Sequence, residues 1–396
     1  MRDNSLNILL IASWYPSKEN PTAGSFVQEQ AQMLRDFGHE VTVIHPFMLG
    51  TFANTITKQS YHTFTEEDGL RVIRVGVAPP MPLLRGISYA YCFQRVRIAM
   101  KKFQLDPKEF SIIHSHAMFM GGVIGHKLSK KYNLPHVHTE HTSGLIFNPK
   151  QYTKKDIAIT RKAYSNCYKV LFVSHFAKQH TLSNIALKSK DAFMVLPNVV
   201  DSSFFSCPID SISKASSFRF LVIGSFIPRK NHKLLLEAFG LVQKEFPTVG
   251  LSIAGNGPLK KELHELSESL KLENVHWLPT LNREEVRGQM LVHHVILSTS
   301  KVETFGLTIA EAQAMSKPVV VTDSGGVMDI VTQETGIVTE LSATAFAKGL
   351  IQLIQTFHTY DAETIRQSAK NRFAAPVIMN QLNGIYRQLH DGNLYL

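Results

Sequence analysis

The sequence predicts an α/β protein of two doubly wound domains, and three observations carry that prediction. The chain has 396 residues, more than one hydrophobic core of ordinary size accommodates and close to two domains of about 200 residues each. Apolar, strand-like runs alternate with helical periodicity through the first half, as a parallel sheet covered on both faces requires. The alternation stops near Leu196-Pro197-Asn198, crosses a Ser-rich stretch with a proline at residues 201–217, and then restarts.

Residues 7–12, NILLIA, are near-continuously apolar and read as the first, buried strand. A loop holding Pro16, Pro21 and Gly24 leads into a helix over 25–37. Strands follow over 40–45, 71–77, 111–115, 135–139 and 169–174, with helices over 120–131 and 175–185 between them. After the linker, a strand over 218–224 precedes a helix over 231–246, whose Leu234, Leu235, Ala238, Phe239 and Val242 fall at helical spacing. Strands over 250–254, 275–278, 295–298 and 318–322 and helices near 259–270 and 306–315 continue the pattern, and helical sequence over 342–357, 362–373 and 375–389 closes the chain.

Composition narrows the class. With 44% apolar residues and 24 Phe the chain can bury sizeable cores and is far from a disordered balance. The three cysteines, Cys92, Cys167 and Cys207, form no C-x-x-C pair, which argues against a disulfide framework or zinc cluster and for a reducing compartment. No apolar run approaches the roughly 18 residues that span a bilayer, and Met1-Arg2-Asp3 precedes strand-like rather than signal-like sequence. A cytoplasmic location is expected. Residues 1–200 carry 24 Lys and Arg against 13 Asp and Glu, whereas residues 201–396 carry 18 against 19. The basic excess of the first half favours an anionic partner.

Two doubly wound halves would place the carboxyl ends of their strands across a shared cleft, where such sheets bind ligands. Four features map there. Gly24, beside Ser25 at a helix start, lets backbone amides approach an anion. Arg229 and Lys230 stand just before a helix, where cations are normally disfavoured, and suit a phosphate. Glu303 precedes a helix that begins near Gly306 and Glu311 lies inside it, so one carboxylate can face the cleft centre and the other a more distant hydroxyl pair; free amides at 305–308 would face the same space. His114-Ser115-His116 ends one strand and Glu140-His141 the next, with His114 expected to satisfy a buried partner and His116, nearer the rim, to be a site residue. His136, His138 and His141 lack a carboxylate arrangement that would complete a metal site, and no D-x-D occurs, so no metal and no other cofactor is expected.

The residues resemble the retaining GT-B glycosyltransferases of family four. The likeness runs almost end to end: Trp14-Tyr15-Pro16 through Gly24-Ser25-Phe26-Val27; Ile112-Ile113-His114-Ser115-His116; Val173-Ser174; Leu196-Pro197-Asn198-Val199-Val200-Asp201; Lys230-Asn231-His232; Ala254-Gly255-Asn256-Gly257-Pro258; and Glu303 to Glu311, followed by Gly325-Gly326. The resemblance implies two Rossmann-like domains facing across a deep cleft. Residues 1–198 would bind the acceptor, with a terminal helix near 378–396 packing back on them, and residues 199–377 would hold a nucleotide-diphosphate-sugar donor. It further implies that Lys230 and Arg229 bind the diphosphate and Glu311 the ribose hydroxyls. Glu303 with the backbone of Phe305, Gly306 and Leu307 would hold the sugar, Gly24 would approach the phosphates, and His116 would lie near sugar and acceptor. Ser225 stands where many members carry arginine, leaving Arg229 to substitute.

The implied activity is transfer of a sugar to a glycan or lipid-linked acceptor in cell-surface polysaccharide synthesis. Pro79-Pro80-Met81-Pro82-Leu83-Leu84-Arg85-Gly86 leads into a basic, aromatic stretch, 87–103, with Tyr89, Tyr91 and Phe93 beside Arg95, Arg97, Lys101 and Lys102. Such a segment suits peripheral contact with an anionic membrane, at the inner face of the cell membrane. An epimerase or phosphorylase of the same fold remains an alternative. A nucleic-acid-binding role is disfavoured because no such module is present, and a dehydrogenase because no G-x-G-x-x-G follows the first strand.

Overall fold

The computed structural model describes residues 5–18, 20, 23–49, 60–78, 85–208 and 218–390. Met1-Arg2-Asp3, Pro21, residues 79–84 of the proline-rich lead and residues 209–217 of the linker lie outside them. The chain divides into two compact units, Met1–Val199 with Ile378–Leu396, and Val200–Val377.

In the first unit the elements run β1 (Asn7–Ala12), α1 (Ser25–Asp36), β2 (Glu40–Met48), β3 (Tyr61–Glu67), β4 (Leu70–Val77), α2 (Arg85–Lys102), β5 (Ile112–His116), α3 (Val123–Tyr132), β6 (His136–Glu140), α4 (Gly144–Phe147), α5 (Lys154–Asn166), β7 (Lys169–Phe172), α6 (His175–Asn184) and β8 (Phe193–Val195). They build an eight-stranded sheet ordered β3-β4-β2-β1-β5-β6-β7-β8. Every pair is parallel except β3 with β4.

In the second unit they run α7 (Ser202–Phe205), β9 (Arg219–Ile223), α8 (His232–Glu245), β10 (Gly250–Ala254), α9 (Lys260–Ser269), β11 (Val275–Leu278), α10 (Arg283–Val292), β12 (Val295–Ser298), α11 (Leu307–Ala314), β13 (Val319–Thr322), β14 (Gly336–Thr339), α12 (Ala343–Thr356) and α13 (Ala362–Phe373), after which α14 (Ala375–His390) joins the first unit from Ile378 on. Their sheet, β11-β10-β9-β12-β13-β14, is parallel throughout.

Strand order locates the ligand ends. The chain leaves β1 toward β2 on one side and returns to β5 on the other, and it treats β9 with β10 and β12 in the same way. Helices leaving neighbouring strands at such a switch diverge to opposite faces, which opens a crevice at the carboxyl ends of β1 and β5, and of β9 and β12.

The cores are those the apolar periodicity selects. In the second unit Phe220 and Val222 of β9, Leu235, Phe239 and Val242 of α8, and Phe346, Leu350 and Leu353 of α12 share one buried cluster. Each large side chain so buried contributes about 1.5–3 kcal/mol. In the first unit Cys92, Val96, Ala99 and Met100 of α2 pack against Ile73, Val75 and Val77 of β4. The segment expected to lie on a membrane is therefore a helix whose apolar face sits on the sheet, with Tyr89 buried as well. Along α14, Tyr386 Oη lies 2.7 Å from His114 Nδ1 and Asn383 Oδ1 lies 3.1 Å from His39 Nε2.

Strand β3 escapes the periodicity. Its sequence, YHTFTEE, is mostly exposed at the sheet edge, so nothing forces an apolar alternation, and its pairing comes from antiparallel hydrogen bonding to β4.

Candidate active site

At the carboxyl end of β1, Gly24 caps α1 with a φ of 72°, and a side chain there would run into the Trp14 carbonyl. Only glycine combines that left-handed backbone with so close an approach. Ser13 ties this turn to the end of β5: its amide donates to the His116 carbonyl at 3.2 Å, and its hydroxyl accepts from the Gly121 amide at 2.8 Å. The backbone just after β5 is strained, with φ of 58° at Ala117 and 81° at Met120. Such outliers cost on the order of 1–3 kcal/mol each and persist only where surrounding structure imposes them.

His116 is not at a rim. Its ring is fully buried, stacked on His114 at 4.5 Å, with Nδ1 3.1 Å from His141 Nε2. Burial first, and then the neighbouring His114, His141 and His138, hold its pKa well below the ordinary value, so the imidazole is neutral. Its Nε2 is buried without a hydrogen-bond partner. His114 spends both nitrogens, on Tyr386 Oη and on Thr139 Oγ1 at 2.8 Å. Deeper in the sheet, Glu140 is fixed by the Thr142 amide at 2.6 Å, the Tyr164 hydroxyl at 2.5 Å and His138 at 3.3 Å. Burial alone would raise the Glu140 pKa; those donors bring it down to about 2. Ser115 bridges His136 and His138 at 2.6 and 2.8 Å. This histidine array is a hydrogen-bonded interior, and no metal-holding group of three His, Cys, Asp or Glu occurs among the described residues.

In the second unit the loop after β9 turns through Arg229 and Lys230 to Asn231, which caps α8 at a φ of 54°. The loop after β12 lies beside it: the Lys301 amide donates to the Arg229 carbonyl at 2.8 Å and Thr299 Oγ1 to the Lys230 carbonyl at 3.1 Å. Both cations converge on one carboxylate. Lys230 Nζ pairs with Glu303 Oε1, Arg229 Nη1 lies 3.7 Å from Oε2, and Ser300 Oγ donates to Oε1 at 2.7 Å. Burial works to raise the Glu303 pKa, but the charges of Lys230 and Arg229 and the hydrogen bonds from Lys230 and Ser300 overcome it, so the group is an anion with a lowered pKa.

The Glu303 backbone is equally fixed. Its amide donates to the Ser324 carbonyl at 2.7 Å and its carbonyl accepts from the Gly326 amide at 2.9 Å. Phe305 is buried, packed edge-on to Phe373 at 5.5 Å, so only its main chain is available to a ligand. Gly306 caps α11 at a φ of 103°, and the first intrahelical bond there runs from the Ile309 amide to the Gly306 carbonyl at 2.9 Å. The amides ahead of it, that of Leu307 included, have no carbonyl within the helix and carry the positive end of its dipole. Glu311 sits further along α11, buried, with Arg283 Nη1 at 2.5 Å from its Oε1.

Arg229, Lys230 and Glu303 thus form one cluster, Glu311 lies further into the helix in its pair with Arg283, and Gly24 and His116 belong to the first unit. Sequence reasoning missed Arg283, Ser300 and Ser13. Arg283 had a signal, being a cation in the first turn of α10 after an Asn282 cap, where the helix dipole disfavours it. Ser300 and Ser13 had none, since serine in a loop is ordinary.

Comparison with known proteins fits this geometry. Residues 23–204 match the family described as Glycosyltransferase Family 4, and residues 210–372 match Glycosyl transferases group 1. A human phosphatidylinositol N-acetylglucosaminyltransferase subunit is 24% identical over 89% of this chain and 69% of its own length. The alpha-monoglucosyldiacylglycerol synthase of Acholeplasma laidlawii is 27% identical over 73% of each. Among solved structures, Anabaena Alr3699/HepE in complex with UDP superposes with a TM-score of 0.74 at 20% identity, covering 97% of this chain and all of that one. With both halves matched and both sheets doubly wound, the chain belongs to the GT-B glycosyltransferases of group 1 and family 4, enzymes that transfer sugars.

Proposed function

We propose that this enzyme moves a sugar, with retention of anomeric configuration and without a metal, from a nucleoside-diphosphate sugar to a lipid-linked or glycan acceptor in cell-surface polysaccharide synthesis. The observation that carries the reading is the convergence of Arg229 and Lys230 on Glu303 at the carboxyl ends of β9 and β12. Two fixed cations there suit a diphosphate, and they are part of the charge a departing diphosphate needs.

The reaction breaks the bond from the anomeric carbon to the β-phosphate oxygen, and its transition state has oxocarbenium character. Negative charge grows on the leaving oxygen, opposite Lys230, Arg229 and the amide-rich start of α11. Glu311 holds the ribose hydroxyls, and Glu303 with the main chain of Phe305, Gly306 and Leu307 holds the sugar. Glu303 is tied to two cations and a hydroxyl, which makes it a poor nucleophile. We therefore favour a same-face route: the acceptor oxygen bonds to the anomeric carbon and its proton passes to the departing phosphate oxygen. Gly24 serves the phosphates, and His116, whose Nε2 has no protein partner, serves the sugar or acceptor.

Support for a lipid-linked acceptor comes from the two relatives whose names contain phosphatidylinositol and diacylglycerol. We place this contact at the inner face of the cell membrane, as a peripheral one made from the cytoplasm; no helix among the described residues is long and apolar enough to cross a membrane. The test is transfer from radiolabelled nucleotide sugars with a chelator present: transfer that persists and fails in Lys230→Ala supports the reading, and near-normal transfer by that variant overturns it.

A further inference from the structure

A second basic patch of the first unit lies beside α2, on α3 and α5. A groove of about 480 Å³ opens between α2, α3 and α5. Tyr89 and Phe93 of α2, Val123 of α3 and Ile159 of α5 give it apolar walls. Lys127, Lys130, Lys131 and Lys162 edge it. The three α3 lysines stand at i, i+3 and i+4, a spacing that sets them on one helix face and makes them repel. No carboxylate lines the groove, and none of the four lysines pairs with one among the described residues. The field they create is felt by His126, which also lines it: burial, and then Lys130, Lys162 and Lys127, bring its pKa down to about 4. Lys127 Nζ lies 5.7 Å from the Phe93 ring centre, so cation and aromatic wall form one surface.

A polyanion would use the lysines and leave the apolar walls idle; an apolar ligand would leave the lysines uncompensated. We propose that the groove seats a phosphate-bearing membrane lipid, its phosphate among Lys127, Lys130, Lys131 and Lys162 and its hydrocarbon against Tyr89, Phe93 and Ile159. The site deepens the lipid-linked acceptor reading and rests on it only for what the lipid is delivered to, because binding is measured without turnover. It also relocates the membrane-facing surface away from the Arg95 to Lys102 stretch of α2, where Arg95 is engaged with the Ser60 carbonyl at 3.2 Å.

The test is sedimentation of the full chain with phosphatidylglycerol vesicles, with phosphatidylcholine vesicles as the neutral reference. A groove triple, K127E/K130E/K162E, is compared with a matched control, K101E/K102E/K108E, of equal charge change. The expected result is at least a tenfold loss of affinity for the groove triple and less than a twofold change for the control. Phe93→Ala should lose the fraction of binding that survives 0.5 M salt (about 3–5 Å screening length). Circular dichroism checks folding, and should the triple misfold, K127Q/K130Q/K162Q replaces it. Equal losses in both triples, an unaffected groove triple, or an inert Phe93→Ala would each overturn the proposal, the last pointing to a polyanion. Thermal shifts with nucleotide sugars on the same variants separate the two readings: vesicle binding without donor binding would sink the transferase site and leave the groove standing.

Discussion

Arg283 and Glu311 are joined at 2.5 Å across two helices, with the Arg283 guanidinium stacked 4.7 Å over the Phe204 ring. The carboxylate is buried and the arginine half-exposed, so solvent weakens the pair's own energy, while the stack and the bond together fix where Glu311 points. Under the proposed function, in which Glu311 is assigned to the ribose hydroxyls, Arg283 is thus a positioning residue. Arg283→Ala should raise the donor KM about tenfold, equivalent to about 1.4 kcal/mol, with kcat within about twofold. Arg283→Lys should recover part of it, and steady-state kinetics against donor concentration read the split.

Lys230 is the cation closest to Glu303 and the largest cause lowering that group's pKa. Lys230→Ala should lower kcat by about 10²–10³, the range for removing one preorganised stabiliser of developing charge. The same variant should raise the Glu303 pKa, detectable as a new acid limb in the pH dependence of donor binding. Binding that titrates as in the native enzyme would show that Lys230 does not set the carboxylate's charge.

Gly326 and Gly288 make a paired test of the loop behind Glu303. A Cβ at Gly326 would collide with the Thr304 carbonyl, and backbone cannot step aside as a side chain can, so Glu303 must shift. Gly326→Ala should cost about 1–3 kcal/mol of stability and cut donor affinity as well. A methyl group added at Gly288, inside α10, would meet nothing within 4 Å, and Gly288→Ala should stabilise by about 0.4–1 kcal/mol with unchanged transfer. Urea melts and donor titration on both variants decide it.

What was readable in the sequence follows from what each residue answers to. Strands β1, β5, β9 and β12 are buried on both faces, so their apolar runs had to appear, and with them the positions of Arg229, Lys230 and Glu303 at strand ends. His114 was readable as an interior group because it lies within a buried strand. His116, two residues on, was not: whether it faces rim or interior depends on the strained turn through Ala117 and Met120 and on His141 from the next strand. What the apolar face of α2 packs on was likewise not readable, because a basic amphipathic helix looks alike whether that face meets lipid or a sheet. Arg283 was readable as an oddly placed cation at the start of α10, but its partner was not, being 28 residues away on another helix.

The buried neutral histidines make stability depend on pH in a defined direction. His45, on β2, is held at about 4 against an unfolded value of 6.5, chiefly by burial, with Arg74 adding to it and its hydrogen bond to the Ala12 carbonyl at 2.9 Å opposing. Between those two values the unfolded chain binds a proton that the folded chain refuses, so stability is complete above about pH 6.5 and falls as pH drops toward 4. One such group contributes a slope of up to about 1.4 kcal/mol per pH unit. His126 and His232, also held at about 4, act in the same window, and Glu140, at about 2, extends the loss below the ordinary carboxylate range, where the unfolded chain protonates first. The melting temperature should therefore decline steadily from pH 6.5 to 4, more shallowly in His45→Gln. A native melting temperature that is flat from pH 7 to 5 would mean these rings are protonated or solvated in the folded protein.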